Sequence, residues 1–395
     1  MKYDRLKILH VLPTFCKGGG EKLVHDLAND QVGRGSIVDI LCFFNNVYQG
    51  AFLKQSLNNK VRLNYVTNIT QSQSLGNSIE HVFQKIKLYL LAFQWFFRNR
   101  SYVYSFDIIH VHLTYGAYFG TLAYLFRNST SRVKIVETNH SDSSSLKGGL
   151  KWFFAFNRCF RDAIIFELKK SDFDEFVKNS TKIKAAFIPI GTDCPELINI
   201  DNVLSRLKDK IAIGQVGRLH IADRRTDKYI LLAYELKKLL GERFVFYMFG
   251  DGPDYAIIES LIKKYQLEKT VILCGYTDDL AAAFKSLDLY VTINVGENCG
   301  VGGLQAIWSK VPTVAIQVDE TYDHEALDNV IPNTMDLYQL ARFIDHILDN
   351  LELKEALILR QFNHVVKFHS VESYCENTFA FYDKLLQYEP IQEIC

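Results

Sequence analysis

The stretch Val295-Gly296-Glu297-Asn298-Cys299-Gly300-Val301-Gly302-Gly303-Leu304-Gln305 decides the fold that this sequence predicts. An apolar run at 287–293 precedes it and is typical of a buried strand. A helix can continue from Leu304, and a second strand follows at 311–316. The stretch is therefore a glycine-rich loop in a βαβ unit, at the carboxyl end of a strand, where open parallel sheets bind ligands.

The residues of this loop suit a diphosphate that is joined to a sugar. A helix start offers unpaired N–H groups and the positive end of the helix dipole, and both bind phosphate. Gly300, Gly302 and Gly303 have no Cβ to keep a diphosphate away. The carboxylate of Glu297 would repel a phosphate, so we expect it to accept hydrogen bonds from hydroxyl groups. The alternative is a tight turn whose glycines serve packing alone.

Composition excludes several classes of protein. A chain of 395 residues is too long for one ordinary core, which predicts two domains. The 45 basic and 45 acidic residues balance, which argues against a nucleic-acid-binding protein. Eight cysteines without a CxxC pair, and no signal peptide, indicate reduced thiols in the cytoplasm. The histidines show no compact ligand spacing, so no metal is expected.

The first half of the chain also has polar residues at the ends of predicted strands. A strand at 7–12 leads into Gly18-Gly19-Gly20 and then a helix, which makes a second candidate anion site. Strands that end at His112 and near His140 place histidines where a ligand would bind. The alternative for the glycines is that they form a flexible loop without a ligand. The alternative for each histidine is that it only forms hydrogen bonds within its loop.

Two segments, 81–104 and 146–161, mix aromatic with basic residues. In the first, basic residues limit the apolar run to about ten residues, too short to span a bilayer. Such a helix either lies on an anionic membrane surface or belongs to the core, with its lysine ends reaching water. The basic residues of the first segment are Lys85, Lys87, Arg98 and Arg100.

In the second half, the alternation of strands and helices starts again after a junction between about 193 and 209. A strand at 211–219 ends in a cluster of cations, which would neutralise a diphosphate beside the helix start at 300. The cluster comprises Arg218, Arg224, Arg225 and Lys228. Its alternative is a solvated loop.

The predicted fold is α/β, with two Rossmann-like domains of parallel strands flanked by helices and a cleft between them. We expect one domain at 1–195 and a second at 196–370. We expect the C-terminal helix, about 371–395, to pack back on the first domain.

The motifs of both halves resemble, in order, those of the retaining, nucleotide-sugar-dependent glycosyltransferases of family 4, which have the two-domain GT-B fold. The resemblance covers nearly the whole chain, and its strength lies in the order and spacing of seven short motifs. They are Gly18-Gly19-Gly20-Glu21, 107–112, His140, 188–193, Val216-Gly217-Arg218-Leu219, Gly250-Asp251-Gly252-Pro253 and 297–305.

The resemblance implies that His140, Glu297 and Arg218 are the catalytic residues, with His140 and Glu297 beside the transferred sugar. It implies that the domain at 1–195 binds the acceptor and that the domain at 196–370 binds the nucleotide sugar. It further implies a set of donor-binding residues, which includes Arg218 again and two cations that follow it. The set comprises Gly19, Gly20, Arg218, Arg224, Lys228, Gly250, Asn298, Cys299, Gly300, Val301 and Gln305.

Three positions depart from the family pattern. Gln305 stands where a glutamate usually binds the ribose, and its uncharged amide weakens that contact by about 1 kcal/mol. Ile190 stands where asparagine is common. A small insertion after Arg218 leaves open whether Arg224, Arg225 or Lys228 is the second diphosphate-binding cation.

The expected function is transfer of a hexose or related sugar from a nucleotide-diphosphate sugar to a glycan or lipid-linked acceptor in bacterial surface polysaccharide synthesis. The resemblance implies retention of configuration, and no cofactor is expected. The expected location is cytoplasmic, with peripheral contact at the inner face of the membrane. Two alternatives stay open: a sugar-nucleotide epimerase of the same fold, and a non-catalytic subunit that binds a nucleotide sugar.

Overall fold

The computed structural model describes residues 6–16, 18–45, 51–68, 79–140, 149–180, 182–204, 210–294, 300–317 and 330–387. The chain forms two compact units. The N-terminal unit comprises Met1–Gly191 together with Val371–Cys395, and the C-terminal unit comprises Thr192–Ser370.

Within the described residues, the N-terminal unit contains a seven-stranded parallel sheet of order β3-β2-β1-β4-β5-β6-β7. Its strands are β1 (Lys7–Leu12), β2 (Ile37–Cys42), β3 (Arg62–Tyr65), β4 (Ile108–His112), β5 (Lys134–Asn139), β6 (Ala163–Phe166) and β7 (Lys184–Phe187). Its helices are α1 (Gly19–Gly33), α2 (Ala51–Gln55), α3 (Ile79–Arg98), α4 (Arg100–Val103), α5 (Leu113–Leu125), α6 (Gly149–Arg158), α7 (Lys170–Asn179) and, from the end of the chain, α15 (Val371–Gln387).

The described part of the C-terminal unit holds a six-stranded parallel sheet of order β10-β9-β8-β11-β12-β13. Its strands are β8 (Ile211–Val216), β9 (Phe244–Phe249), β10 (Val271–Gly275), β11 (Leu289–Asn294), β12 (Thr313–Gln317) and β13 (Asn333–Thr334). Its helices are α8 (Ile221–Arg224), α9 (Asp227–Leu240), α10 (Tyr255–Lys264), α11 (Leu280–Lys285), α12 (Gly300–Trp308), α13 (Leu337–Asp349) and α14 (Leu351–Phe368).

The central strands are buried apolar runs because helices cover both faces of each sheet. All five residues of β4 are buried, and so are all six of β9. This alternation of strands and helices confirms the predicted pair of doubly wound α/β units.

Helix α15 completes the N-terminal unit although it is the last described helix of the chain. Tyr374 donates a hydrogen bond to Glu167, with 2.6 Å between its hydroxyl and Oε1. The Tyr382 hydroxyl lies 2.6 Å from Nδ1 of His110. Both tyrosines are buried, so α15 belongs to the core of the first unit.

For segment 81–104, the sequence allowed either a core helix or a helix on a membrane surface. The helix α3, which covers most of this segment, has one buried face and one exposed apolar face. Leu88, Ala92 and Phe96 of α3 are buried against α5. A second stripe of the same helix is apolar and exposed, and the exposed Lys87 and Arg98 lie on the same helix. This exposed stripe comprises Ile86, Leu90, Phe93 and Phe97, which are 38–58% exposed.

Two basic residues of the aromatic-basic segment 146–161, Arg158 and Arg161, turn toward one buried carboxylate. Arg161 is buried, and its Nε lies 2.8 Å from Oε2 of Glu137. The Nε of Arg158 lies 3.5 Å from the other oxygen of this carboxylate. A buried guanidinium needs such a partner because an unpaired charge is very costly to remove from water. Trp152 and Phe156 of the same segment are exposed.

Helix α5 approaches β1 so closely that only glycine fits at position 116. A Cβ on Gly116 would lie 2.5 Å from the carbonyl oxygen of Val11, whereas a Cβ on Gly33 in α1 would meet nothing within 4 Å. We expect Gly116→Ala to destabilise the N-terminal unit by about 1–3 kcal/mol through overpacking. The control, Gly33→Ala, should leave stability unchanged or raise it by about 0.5 kcal/mol. Thermal and urea unfolding of the two variants measures this difference, and equal effects would contradict the packing argument.

Candidate active site

Both sheets reverse their strand order beside their first strand, at β1/β4 in the N-terminal unit and at β8/β11 in the C-terminal unit. At such a switch point the loops leave the sheet in opposite directions and open a crevice at the carboxyl ends of the strands. The described candidate site residues lie after these strands or their neighbours.

Four histidines meet at the switch point of the N-terminal unit. His10 of β1 and His110 of β4 are direct partners in the parallel register. His112 ends β4, and His140 follows β5, the next strand of the sheet. His10, His110 and His112 are buried, and the side chain of His140 is 8% exposed.

Three of these histidines form a hydrogen-bonded chain. The Nε2 of His10 lies 2.9 Å from Oε1 of Gln31, and its Nδ1 lies 3.1 Å from Nε2 of His112. The Nδ1 of His112 lies 2.9 Å from Nε2 of His140. The other nitrogen of His140, Nδ1, lies 2.8 Å from Oε2 of Glu167. His110 is held separately, by Thr138 and Tyr382.

Burial and charge move the pKa values of these imidazoles in opposite directions. Desolvation lowers the pKa of His10 to about 4, and it also lowers the pKa values of His110 and His112 well below the ordinary value. Burial opposes the charged form of His140 too. The nearby carboxylates, Glu167 foremost, outweigh that effect and raise the pKa of His140 above its ordinary value.

The glycine loop of the N-terminal unit lies over His140. A Cβ on Gly20 would be 4.0 Å from Nδ1 of that ring. Gly19, the first residue of α1, is exposed. The structure therefore brings together Gly20 and His140, which the resemblance assigned to one site.

Glu21 is a residue of this site whose role the sequence reasoning missed. Its carboxylate folds back against Gly18 and accepts a hydrogen bond from the Thr14 hydroxyl at 3.2 Å. Burial raises the pKa of Glu21, while the charge of His140 opposes that shift. Glu21 lies in the first turn of α1, where the helix dipole favours a carboxylate, and that preference could have placed it here.

The histidines could in principle offer ligands to a metal. One ring nitrogen each of His10, His110 and His112 lie within 4.8 Å of one another. The hydrogen bonds just described already occupy both nitrogens of each of these rings. This arrangement favours a polar network, and the expected absence of a metal stays a prediction.

At the switch point of the C-terminal unit, the turns after β8 and β9 pack backbone against backbone. Gly250 has φ +141°, and a Cβ there would overlap the carbonyl group of Gly217. A Cβ on Gly252 would likewise overlap the backbone of Leu219. Packing thus explains these two glycines, and a donor-binding role for Gly250 stays a prediction.

The start of α12 lies against the end of β8. A Cβ on Gly302 would be 2.9 Å from the Tyr290 hydroxyl and 3.2 Å from the carbonyl oxygen of Val216. Gly300 has φ +67°, a left-handed conformation that suits glycine. This packing brings the helix start beside the turn that carries Arg218. Glu297, Asn298 and Cys299 lie outside the described residues.

Two predicted donor-binding residues of α12 differ in exposure. Val301 is half-buried, whereas Gln305 lies on the buried face of the helix and is 8% exposed. The side chain of Gln305 is therefore held in place by the fold, five residues after the first residue of α12.

The basic cluster divides into paired and unpaired cations. The Nε of Arg225 lies 3.6 Å from Oδ1 of Asp227. Arg218 and Arg224 are exposed and Lys228 is half-buried in the first turn of α9. Within the described ranges, these three side chains form no ion pair. They are thus better placed than Arg225 to bind an anion.

Comparisons with known proteins agree with this architecture. Residues 17–193 match the family model described as Glycosyltransferase Family 4, and residues 210–350 match the one described as Glycosyl transferases group 1. A putative glycosyltransferase, EpsF, of Bacillus subtilis (strain 168) is 25% identical over 335 residues, which are 80% of this chain and 80% of the relative. N-acetyl-alpha-D-glucosaminyl L-malate synthase of Bacillus anthracis is 24% identical over 229 residues, which are 54% of this chain and 57% of that relative.

Two solved structures have the same fold at low identity. Anabaena HepE in complex with UDP and glucose has a TM-score of 0.71 at 15% identity, covering 96% of this chain and 100% of that one. Sucrose-phosphate synthase from Thermosynechococcus elongatus has a TM-score of 0.74 at 15% identity, covering 98% and 100%.

Two Rossmann-like units with these matches define the glycosyltransferases of the GT-B fold. The chain belongs to the family 4-like glycosyltransferases. It is therefore a transferase, as the resemblance predicted. No helix among the described residues is long and apolar enough to cross a membrane.

The depressed pKa of His10 predicts how stability depends on pH. The unfolded chain binds a proton at His10 below about pH 6.5, while the folded chain binds it only near pH 4. The contribution of neutral His10 to the free energy of unfolding is therefore fully present above pH 6.5. It is lost as the pH drops toward 4, and the loss is at most about 3 kcal/mol. Urea unfolding of the native chain and of His10→Gln between pH 4 and 7.5 measures the difference. A stability difference that does not change with pH would contradict the assignment.

Proposed function

We propose that the protein transfers a hexose or related sugar from a nucleotide-diphosphate sugar to a glycan or lipid-linked acceptor, with retention of configuration. The reaction would serve the synthesis of a bacterial surface polysaccharide, such as lipopolysaccharide or capsule. The observation that carries this proposal is the start of α12, packed against the end of β8 beside the exposed Arg218. The structure of Anabaena HepE in complex with UDP and glucose supports a nucleotide sugar as the donor.

The chemistry follows from where negative charge develops. Departure of the nucleoside diphosphate places charge on its phosphate oxygens, which Arg218, Arg224 and Lys228 stabilise together with the helix dipole. The departing oxygen can take the proton of the acceptor hydroxyl on the same face of the sugar. This front-face transfer retains the configuration and needs neither a protein base nor a metal.

Incubation with a panel of nucleotide sugars and an acceptor mixture tests this function. We expect release of a nucleoside diphosphate together with transfer of the sugar to an acceptor. An epimerised donor without transfer would support the epimerase instead. Binding without turnover on every donor would support a non-catalytic subunit.

Glu297 and Gln305 should differ in their effects on the reaction. We expect Glu297→Ala to lower turnover by about ten- to several-hundred-fold, because a charged hydrogen bond to the sugar contributes roughly 1.5–3 kcal/mol. Gln305→Ala should raise the Michaelis constant for the donor and leave turnover nearly intact, because this side chain would contact the ribose. Gln305→Glu should be tolerated. Steady-state kinetics decide, and loss of turnover in Gln305→Ala with a silent Glu297→Ala would disprove this placement of the donor.

We propose further that the protein acts in the cytoplasm and contacts the inner face of the membrane through the exposed stripe of α3. A helix with apolar residues on one face and Lys87 and Arg98 beside them suits an anionic lipid surface. The buried stripe of the same helix anchors it to the fold, so the helix would lie in the interface. This contact would bring the enzyme to a lipid-linked acceptor.

Sedimentation with anionic liposomes tests the membrane contact. We expect Leu90→Ser with Phe93→Ser to lower the bound fraction several-fold, because binding scales with the buried apolar area. Ile257→Ser with Leu359→Ser is a matched control in the C-terminal unit, where both residues are at least half exposed. If both double variants bind the liposomes equally well, α3 does not contact the membrane and its role is structural.

A further inference from the structure

Both ring nitrogens of His140 are engaged inside the N-terminal unit. Nδ1 lies 2.8 Å from Oε2 of Glu167, and Nε2 lies 2.9 Å from Nδ1 of His112. The side chain of Glu167 is fully buried, and within the described residues its Oε2 has no well-aligned hydrogen bond, so its contact with the His140 ring is an ion pair defined by distance. Neither partner can turn to water, so the ring of His140 is fixed from two sides.

The protons along the chain can be assigned from its far end. Gln31 Oε1 accepts, so Nε2 of His10 carries a proton and Nδ1 of a neutral His10 accepts. His112 then donates from Nε2 to His10 and accepts at Nδ1. The proton between His112 and His140 consequently belongs to Nε2 of His140. The carboxylate of Glu167 can only accept, which places a second proton on Nδ1 of His140.

The burial of the chain supports this assignment. His10 and His112 are buried, and removal from water favours their neutral forms, as their lowered pKa values indicate. His140 alone among them faces acidic groups: Glu167 after β6, Glu21 of α1 and Glu137 of β5. Arg158 and Arg161 already pair with Glu137, which leaves Glu167 as the direct counter-charge.

Tyr374 of α15 orients that counter-charge. Its hydroxyl donates to Oε1 of Glu167 at 2.6 Å, so one carboxylate oxygen is held by the tyrosine and the other faces His140. Each oxygen thus has a single role, and the carboxylate cannot rotate without losing one partner.

We propose that Glu167, oriented by Tyr374, and the chain of Gln31, His10 and His112 are positioning residues that keep His140 doubly protonated. His140 then acts as a fixed positive charge and not as a proton acceptor. This role rests on the proposed function, in which His140 lies beside the transferred sugar. A buried cation at that edge of the sheet favours an anionic donor and the charge that develops as the diphosphate leaves.

Nitrogen-15 NMR of the histidine-labelled native protein tests the protonation directly. We expect the two nitrogens of His140 to give signals of an imidazolium at pH 7, and those of His10 and His112 to give signals of neutral rings. A neutral His140 at pH 7 would overturn the proposal. So would zinc found by elemental analysis in a one-to-one ratio, because its ligation would take the nitrogens that form the chain.

Glu167→Gln separates charge from shape, because the amide keeps the size of the side chain and can still accept from Tyr374. We expect it to lower the pKa of His140 by about 1–3 units, since it removes an adjacent opposite charge. Asp39→Asn is the matched control: this buried carboxylate of β2 also accepts from a tyrosine hydroxyl, that of Tyr102, and it lies outside the chain, so the variant should leave the signals of His140 unchanged. An unchanged pKa of His140 in Glu167→Gln contradicts the proposal.

Turnover supplies a second readout. If His140 acts through its charge, Glu167→Gln should lower turnover by about tenfold or more near neutral pH and regain part of it as the pH falls. If the role of Glu167 is purely structural, the loss of turnover will not depend on pH. That result would refute the charge role. If the proposed function is wrong, the native protein will show no sugar transfer, whatever the NMR signals of His140. If only the charge role is wrong, the native protein will transfer sugar but the NMR or pH result will differ from the one expected.

Discussion

The parallel arrangement of the strands is the constraint on which the rest of this molecule depends. Parallel neighbours bring all carboxyl ends to one edge, and the reversal of strand order at β1/β4 and at β8/β11 opens that edge. Residues far apart in the chain therefore meet there: the register pairs His10 with His110 across one hundred positions. In the C-terminal unit the same constraint brings Val216 beside the start of α12.

The close approach of backbones at these edges explains much of the glycine pattern. Gly250, Gly252 and Gly302 each lack room for a Cβ because another backbone or a buried hydroxyl occupies the space. A glycine-rich motif in this fold thus serves assembly and ligand access at the same time. The sequence alone could not show which glycines are needed for packing and which for ligand access. The space available to a Cβ depends on a segment that is remote in the chain.

The fold could be predicted almost completely from sequence, because strands such as 108–112 and 244–249 are short apolar runs that end in polar or glycine residues. The site could be predicted only in part. Gly20 and His140 come together as the resemblance implied, but nothing local in the sequence joins His140 to Glu167 or to Tyr374. The inward turn of Arg161 was also hidden, since its counter-charge, Glu137, lies on another strand. Local periodicity tells which residues are apolar, whereas charge pairing depends on tertiary contacts.

The position of α15 has a consequence for biosynthesis. The N-terminal unit is discontinuous: its core includes Tyr374 and Tyr382, which leave the ribosome after the whole of Thr192–Ser370. The C-terminal unit is continuous, so it can reach its native packing while its predecessor still lacks a helix. Vectorial synthesis usually lets the first domain fold first. Here the order of completion is inverted, because the buried Glu167 gains its hydrogen-bond donor, Tyr374, only after Thr192–Ser370 have been synthesised.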